Sequence, residues 1–533
     1  MPTRLPAILA GVAVLALPAI ATAQGSRVSR VTSAAPQPTL VLFLTIDQMR
    51  PDYFTRFGSQ LTGGLGRLYR GGAVFLNGWQ DHAITETAPG HASTLSGRFP
   101  RSTGIVMNSA GVLDDQAPLI GGGGPPASPF RFRGTTLTDW MRMADPRTRA
   151  LSVSRKDRGA ILPLGRAKQN VYWYSSNGAF TTSTYYADTL PGWVRQFNDR
   201  HLPQSMAGRR WDLALPASAY PERDDVKAEG GGTDYVFPHT LTDSGPFTVR
   251  AVTEFPWMDE ITLSFALAGV RALALGAGPQ PDVLAVSLST TDAIGHRYGP
   301  DSREIHDQII RLDRTLGAFL DTLFAMRDST RIIIALTADH GVTPLPDAGI
   351  AGRPSSAHRV VIDGVLTTLR SGLAARGADS TSVNFQEGVF SIDRAALRRA
   401  GLNPDSIARR FAVEARKVPG VARVDEVGAL VRADTVHDAV ARRWLHSLLP
   451  GSTAAAVVTL APYDVWGPWT MAMHGQPSDL DARVPIIFYG IPFRRGVQKA
   501  DARVVDIAPT LARVLGIVPA ERLDGVVLRD ILH

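Results

Sequence analysis

The stretch "TLVLFLTI" at residues 39–46 decides the fold. It is a continuous apolar run rich in β-branched residues, which is typical of a strand buried on both faces of a parallel sheet. Similar runs recur along the chain: "ALSVS" (150–154), "DVLAVSLS" (282–289), "RIIIALTA" (331–338) and "VPIIFYG" (484–490). Helical periodicity lies between them, most clearly at residues 302–328. This alternation predicts an α/β fold with a doubly wound, mostly parallel sheet and helices on both faces.

Two segments interrupt the alternation of strands and helices. Residues 160–250 are rich in aromatic residues, glycine and proline, and residues 350–465 are rich in arginine and alanine. We interpret both as cap segments inserted into one domain that spans residues 39–533. No internal repeat is evident.

The first residues have the pattern of a secretory signal. One arginine precedes an apolar run, and Ala21-Thr22-Ala23 provides small residues before a cleavage at Gln24. A membrane anchor is the alternative, but Pro18 interrupts the apolar run. We therefore predict a signal peptide over residues 1–23, a flexible leader over 24–38, and a periplasmic or secreted protein without a membrane anchor.

Composition narrows the classes of protein further. The chain has no cysteine, which excludes disulfides and thiolate metal sites. Its formal net charge is +7, a mild excess that weakly favours anionic partners. Because lysine and arginine are dispersed along the chain, no nucleic-acid partner is expected.

Carboxylates follow three of the predicted strands. Asp47, Asp292 and Asp339 come just after the runs at 39–46, 282–289 and 331–338. Ligands of open parallel sheets bind outside the carboxyl ends of the strands, so these acids should meet at one edge. One such aspartate is more often a helix cap. Three together, with histidines attached, favour a ligand site instead.

Histidines complete this candidate site. His296 follows Asp292 by four residues and shares a helical face with it, His340 follows Asp339, and His474 lies in "MHGQPSD". Oxygen and nitrogen ligands without sulfur suit zinc, with manganese, iron or cobalt as alternatives. Six ligands exceed one tetrahedral ion and suit a two-metal centre.

Thr87 in "ITETAPGHAST" (84–94) is either a helix cap or a nucleophile. Taken alone, the cap is the more frequent role. Coordination by a metal, at the N-terminus of a helix that we expect to begin at Pro89, would lower the pKa of the hydroxyl enough to form an alkoxide. The neighbouring metal ligands favour the nucleophile.

These motifs together resemble the alkaline phosphatase superfamily, in its type I phosphodiesterase/nucleotide pyrophosphatase-like branch. The resemblance is carried by Asp47, the Thr87-Ala-Pro-Gly-His segment, "TTDAIGHRYGP" (290–300), "TADHG" (337–341) and "MHG" (473–475), in order along nearly the whole mature chain. It implies two zinc ions. Asp292, His296 and His474 would hold one; Asp47, Asp339, His340 and the Thr87 oxygen would hold the other. His91 is expected to be structural.

A basic pair and an asparagine bear on the choice between monoester and diester. In "SVSRKDRGA" (152–160), Lys156 and Arg158 would point the same way if the segment stays extended, with Asp157 opposite; a basic surface turn is the alternative. Asn108 in "GIVMN" (104–108) could donate its amide to a phosphoryl oxygen or be a turn residue.

With Thr87, these three residues look like those of the PafA-type alkaline phosphatases, in which such groups contact the transferred phosphoryl. The resemblance implies an alkaline phosphatase that hydrolyses small phosphate monoesters through a phosphothreonine intermediate. The sequence does not determine the oligomeric state, although we favour a monomer.

Other functions remain open at this point. The same scaffold carries phosphodiesterases and nucleotide pyrophosphatases, and a non-catalytic metal-binding protein is a remote alternative. A sulfatase is disfavoured because those enzymes need a modified cysteine or serine. A group of aromatic residues in the first inserted segment either shapes a leaving-group pocket or packs, and we favour packing: Trp173, Tyr174, Tyr185 and Tyr186.

Overall fold

A computed structural model describes residues 37–348 and 357–533. The predicted signal peptide (1–23) and most of the predicted leader (24–38) therefore lie outside the described residues. Within the described ranges, no helix is both long and apolar enough to cross a membrane.

The described parts of the chain contain eighteen strands. In chain order they are β1 Leu40–Ile46, β2 Ala73–Trp79, β3 Ala150–Ser154, β4 Asn170–Tyr174, β5 Phe180–Thr181, β6 Arg210–Trp211, β7 His239–Thr240, β8 Asp282–Leu288, β9 Ile332–Thr337, β10 Arg359–Val360, β11 Val383–Gln386, β12 Val389–Ile392, β13 Val421–Glu426, β14 Ala454–Leu460, β15 Val465–Trp466, β16 Arg483–Tyr489, β17 Gly496–Gln498 and β18 Ala502–Arg503.

The same residues form eighteen α-helices. They are α1 Tyr53–Arg56, α2 Gly64–Gly71, α3 Thr87–Thr94, α4 Pro100–Thr103, α5 Leu137–Ala144, α6 Asp157–Ile161, α7 Gly192–Asn198, α8 Thr248–Ala251, α9 Trp257–Ala272, α10 Thr290–Tyr298, α11 Arg303–Met326, α12 Asp363–Ala374, α13 Arg394–Arg399, α14 Pro404–Ala415, α15 Val427–Leu430, α16 Ala439–Ser447, α17 Asp479–Ala482 and α18 Ile507–Leu515.

A ten-stranded sheet forms the centre of the molecule. Its strand order is β17-β2-β16-β9-β1-β8-β3-β4-β5, and β18 also pairs with β2. The run from β9 to β4 is parallel, whereas β16 is antiparallel to both of its neighbours. The predicted α/β fold with a mostly parallel sheet is confirmed.

The central strand β1 aligns the ends of its two neighbours. Every residue of β1 is buried, as its apolar composition requires. Ile46 lies opposite Leu288 of β8, and Thr45 lies opposite Thr337 of β9. Because the three strands are parallel and in step, the residues that follow them emerge at one edge of the sheet.

The two predicted inserted segments have different structures. The first part of 160–250 supplies β4 and β5 to the central sheet. Trp173 and Tyr174 on β4 are buried in the main core, and Tyr186 packs against it, so packing accounts for these side chains. The second segment contains a separate antiparallel sheet of order β11-β12-β14-β13. It has its own core, in which Phe390 and Phe411 stack at 3.9 Å.

Candidate metal centre and nucleophile

Three carboxylates meet at the edge of the sheet where β1, β8 and β9 end. Asp47 and Asp339 are fully buried and Asp292 is nearly so. The Asp47 N–H donates to the Leu288 carbonyl at 2.9 Å, which extends the β1–β8 ladder and fixes the first carboxylate. Asp292 lies in the first turn of α10, four residues beyond Leu288, the last residue of β8.

Asp292, His296 and His474 form the first group of potential ligands. Their ligand atoms lie within 4.8 Å of one another. The Asp292 Oδ1 to His296 Nε2 distance is 3.3 Å, as expected for an i, i+4 pair on one helix, and the two histidine Nε2 atoms are 3.2 Å apart.

The other ring nitrogens of these histidines face backbone carbonyls. The Nδ1 atoms of His296 and His474 lie 2.6 and 2.7 Å from the carbonyls of Ala472 and Thr85. Donation by Nδ1 to a carbonyl leaves the Nε2 lone pair free, which is the usual arrangement around a metal-ligating histidine. Two such lone pairs beside a carboxylate fit a cation.

The second predicted group consists of Asp47, Asp339 and His340, and of these Asp47 and Asp339 have ligand atoms within 4.8 Å of each other. His340 Nε2 lies 3.3 Å from Asp339 Oδ2, and its Nδ1 lies 2.9 Å from the Gly341 carbonyl. Both His340 Nε2 and Asp339 Oδ2 are buried without a hydrogen-bond partner. Orphaned buried atoms of this kind are costly unless an ion binds them, so these residues also fit a metal.

His91 is close to the second group by distance alone. Its ring nitrogens lie 3.5 Å from Asp47 and 3.4 Å from Asp339, and the three residues could hold an ion together. However, Nδ1 lies 2.9 Å from the Thr87 carbonyl and Nε2 lies 3.0 Å from the Ser287 hydroxyl. Because both ring nitrogens are engaged within the protein, His91 is less suited to ligate than His340.

The protonation states of Asp339, His340 and His474 suit a bound cation. Burial and the charge of Asp47 raise the pKa of Asp339 to about 7, because two buried carboxylates repel each other. Burial lowers the pKa of His340 to about 4 and that of His474 well below its ordinary value. These imidazoles are therefore neutral near pH 7, as metal ligands must be.

Thr87 is the first residue of α3, so the expected start at Pro89 is wrong by two residues. Glu86 has extended backbone, and the first helical position falls on the buried Thr87. The helix approaches the end of β9 closely: a Cβ on Gly90 would lie 2.1 Å from the Asp339 carbonyl oxygen. Only glycine permits this contact between the threonine helix and the second ligand group.

Lys156 connects the carboxylates with the threonine. Its Nζ lies 2.7 Å from Asp292 Oδ2 and 2.9 Å from Asp47 Oδ2, and it donates to Thr87 Oγ1 at 3.3 Å. Burial acts to raise the pKa of Asp47, but the Lys156 ammonium and His91 outweigh it, so that the pKa falls below its ordinary value.

The condition that residues 156–158 remain extended is not met. Helix α6 begins at Asp157, directly after Lys156. An aspartate in the first turn is favoured by the helix dipole, and Asp157 Oδ1 accepts from the Arg158 N–H at 2.6 Å and from its Nη1 at 3.4 Å. Lys156 and Arg158 are thus arranged by the onset of a helix. The charge of Arg158 is felt by Glu86, whose pKa it acts to lower.

Asn108 is held in one orientation beside the start of α3. Its Oδ1 accepts from the Ala88 N–H at 2.8 Å, and its own N–H donates to Glu86 Oε2 at 2.5 Å. Burial and neighbouring Glu387 raise the pKa of Glu86 to about 7. With Oδ1 engaged, Nδ2 remains the group that can donate to a ligand.

Gln48 is a site residue that the sequence did not reveal. It is buried with a positive φ of 64°, a conformation that non-glycine residues adopt rarely and often at functional sites. Its N–H donates to Asp339 Oδ1 at 3.1 Å and its Nε2 to Asp292 Oδ1 at 3.0 Å. It therefore links both ligand groups. In the sequence, a glutamine after an aspartate gives no signal beyond a turn.

Comparison with known protein families identifies the family to which the chain belongs. The profile of the type I phosphodiesterase / nucleotide pyrophosphatase family matches residues 41–360, more than half of the chain. The protein therefore belongs to this family.

Two curated relatives cover nearly the whole chain. Alkaline phosphatase PhoV of Synechococcus elongatus is 30% identical over 96% of this chain and 97% of its own length. Alkaline phosphatase PafA of Elizabethkingia meningoseptica is 28% identical, with 91% and 93% covered.

Solved structures agree. The crystal structure of wild-type alkaline phosphatase PafA matches with a TM-score of 0.87 and 26% identity, covering 94% of this chain and all of that one. Murine ectonucleotide pyrophosphatase/phosphodiesterase 5 matches at 0.52 and 13% identity, which supports the fold alone.

Proposed function

We propose that the protein is an exported two-zinc alkaline phosphatase that hydrolyses phosphate monoesters through a phosphothreonine intermediate. The observation that carries this proposal is the pair of buried, unpartnered ligand atoms, Asp339 Oδ2 and His340 Nε2, in the group beside Thr87. A catalytic two-metal site requires such atoms, and a purely structural threonine cap does not.

Two groups of residues would hold the ions. Asp292, His296 and His474 would bind one, and Asp47, Asp339, His340 and Thr87 Oγ1 the other. When bound, the ions would lower the pKa of the threonine hydroxyl and stabilise charge on the attacking and leaving oxygens.

Thr87 would then act as the nucleophile. Its Oγ, having lost its proton to water, attacks phosphorus; the bond from phosphorus to the alcohol oxygen breaks, and that oxygen takes a proton from water and leaves as the alcohol, opposite the threonine. Water next attacks the phosphothreonine, the bond from phosphorus to Oγ breaks, and inorganic phosphate is released with Thr87 restored. The phosphoryl group is thus transferred first to Thr87 and then to water.

A monoester carries more negative charge on its non-bridging oxygens than a diester and gains more from cations and donors. Lys156, which donates to Thr87 Oγ1 at 3.3 Å, supplies the first cation. Asn108 Nδ2 supplies a donor, and Arg158, near Glu86, a second cation. The relatives named alkaline phosphatases support the same choice.

A phosphodiesterase or nucleotide pyrophosphatase is the second candidate. It is favoured by the family profile, whose description names those activities. The ligand groups would serve either reaction, so the choice rests on the residues around the phosphoryl group. A non-catalytic metal-binding protein would not need Thr87 at the start of a buried helix.

Chemical trapping tests the nucleophile. The zinc-loaded enzyme is mixed with an aryl phosphate monoester, quenched in acid, and analysed by peptide mass spectrometry. We expect one phosphoryl group on Thr87, absent from Thr87→Ala and retained in Thr87→Ser. A Thr87→Ala variant with full zinc content and near wild-type turnover would remove the proposed nucleophile.

A further inference from the structure

A cavity of about 450 Å³ opens beside the first ligand group. Asp292 and His296 form part of its wall, and the rest includes Gly230, Thr470 and Arg155. If Thr87 attacks from the side of the second ligand group, an in-line reaction places the leaving oxygen on the side of the first. The cavity then lies where the alcohol portion of the substrate would sit.

Arg155 is a cation in the wall of this cavity whose guanidinium makes few hydrogen bonds within the protein. Its side chain is only 19% exposed, and its Nε is buried without a hydrogen-bond partner. Its Nη2 makes one long contact, 3.4 Å to the Ser289 carbonyl, and lies 4.0 Å from Asp292.

A second arginine in the same wall has a different environment. The guanidinium of Arg297 pairs with Glu254 and with Asp234, each at 2.8 Å. Its charge is therefore balanced by two carboxylates. Of these two arginines, Arg155 has the greater capacity to bind a further anion.

Resting on the proposed phosphatase activity, we propose that this cavity binds the leaving group and that Arg155 makes the enzyme prefer monoesters whose alcohol portion carries a second anion, a carboxylate or phosphate. A buried guanidinium forms charge-assisted, often bidentate hydrogen bonds to such groups. The volume accommodates an alcohol of several heavy atoms rather than a large polymer.

A matched pair of esters tests this preference. The first is 4-(2-carboxyethyl)phenyl phosphate and the second is its primary amide, whose phenols have similar leaving-group pKa values because two methylenes separate the ring from the variable group. Zinc-loaded Thr87→Ala binds each ester without turnover, and calorimetry gives the two dissociation constants. We expect the carboxylate to bind roughly tenfold more tightly, the strength of one hydrogen bond between charged groups.

Three variants in the Thr87→Ala background test whether Arg155 causes the preference for the carboxylate ester. Arg155→Met should abolish it, Arg155→Lys should retain part of it, and Arg297→Gln should retain it. Equal binding of the two esters by the parent protein, or an unchanged preference after Arg155→Met, would overturn the role of Arg155.

Turnover by the protein with Thr87 intact separates this inference from the function on which it rests. Hydrolysis of both esters without a preference would overturn only the Arg155 assignment. Hydrolysis of neither ester would count against the proposed phosphatase activity itself.

Discussion

Lys156 lies between the two ligand groups and contacts charged side chains of both. Its ammonium contacts a carboxylate from each ligand group, Asp47 and Asp292, as well as the Thr87 hydroxyl. Such a lysine can orient the nucleophile and also offset the negative charge of an incoming phosphoryl group. Its contribution should therefore depend on the charge of the substrate.

Lys156→Ala should lower kcat/KM for an aryl phosphate monoester by about 10- to 10²-fold, and lower that for the matching methyl diester much less. The reason is that the monoester dianion loses a charge-assisted contact worth about 1.5–3 kcal/mol in a buried site. Steady-state kinetics on zinc-loaded protein measures both values. Lys168→Ala is the control, since that lysine is exposed and lies over the Tyr185 ring; equal losses on both substrates would contradict the assignment.

Asp339→Asn should separate metal binding from folding. In the metal-free protein, the pKa of Asp339 is raised to about 7 from 3.8. The folded state then favours the protonated acid, so stability from this group is present below about pH 4 and is lost as pH rises towards 7. The neutral asparagine of Asp339→Asn avoids this loss of stability, but the variant lacks the carboxylate that would bind the metal.

Thermal unfolding with chelator and with zinc, between about pH 5 and 8, measures these effects. Zinc should raise the thermal stability of the wild-type protein most at the higher pH, where Asp47 and Asp339 are both ionised and repel each other. The variant should gain little from zinc and be no less stable than the wild type with chelator. A variant that zinc stabilises as strongly as the wild type would exclude Asp339 as a ligand.

At the scale of the element, α10 carries two members of the first ligand group, Asp292 and His296, into the site. The helix starts directly after β8 and presents Asp292 and His296 one turn apart. Gly295 between them packs against Gln48: a Cβ there would lie 1.9 Å from Gln48 Oε1. The absence of a side chain thus allows Gln48 to reach both ligand groups.

Gly295→Ala should weaken zinc binding and activity by at least roughly tenfold, because the helix or Gln48 must move to relieve the contact. Zinc titration and steady-state kinetics measure the losses. Gly364→Ala is the matched control, since Gly364 is also helical but its Cβ would meet nothing within 4 Å; it should leave both unchanged and stabilise the protein slightly. Wild-type zinc affinity in Gly295→Ala would contradict the role of this contact.

The parts of the fold and of the site that could be predicted are those indicated by residues close together in the sequence. The apolar runs and the acids after them placed Asp47 and Asp339 at one edge, and the i, i+4 spacing paired Asp292 with His296. The onset of α6 at Asp157 could not be inferred from a basic run. The contacts of Gln48 depend on a positive φ and on a glycine in α10, and the Glu86–Glu387 proximity depends on tertiary structure, so neither had a local signal.

At the scale of the whole molecule, the second inserted segment supports the residues that lead to Thr87. Trp444 of α16 is fully buried in a small cluster with Ala83 and Ile84, and its Nε1 donates to Thr459 Oγ1 at 2.9 Å. This cluster joins the separate antiparallel sheet to the chain just before the nucleophile. Packing in the inserted segment should therefore affect the site.

Trp444→Ala should lower the free energy of unfolding by about 3–5 kcal/mol, the usual cost of removing a large buried aromatic side chain. Chemical denaturation monitored by circular dichroism measures the change. Trp469→Ala is the control because that side chain is 58% exposed, and it should change stability by less than about 0.5 kcal/mol. Equal effects would show that the inserted segment contributes no packing at Trp444.

The central claim is that this protein acts on phosphate monoesters. Its most direct test is kcat/KM of the zinc-loaded mature protein for an aryl phosphate monoester and for the methyl diester with the same leaving group. We predict a ratio strongly favouring the monoester, because Lys156, Arg158 and Asn108 provide cations and a donor for the phosphoryl dianion. A ratio favouring the diester would contradict the account and assign the same ligand groups and Thr87 to a phosphodiesterase.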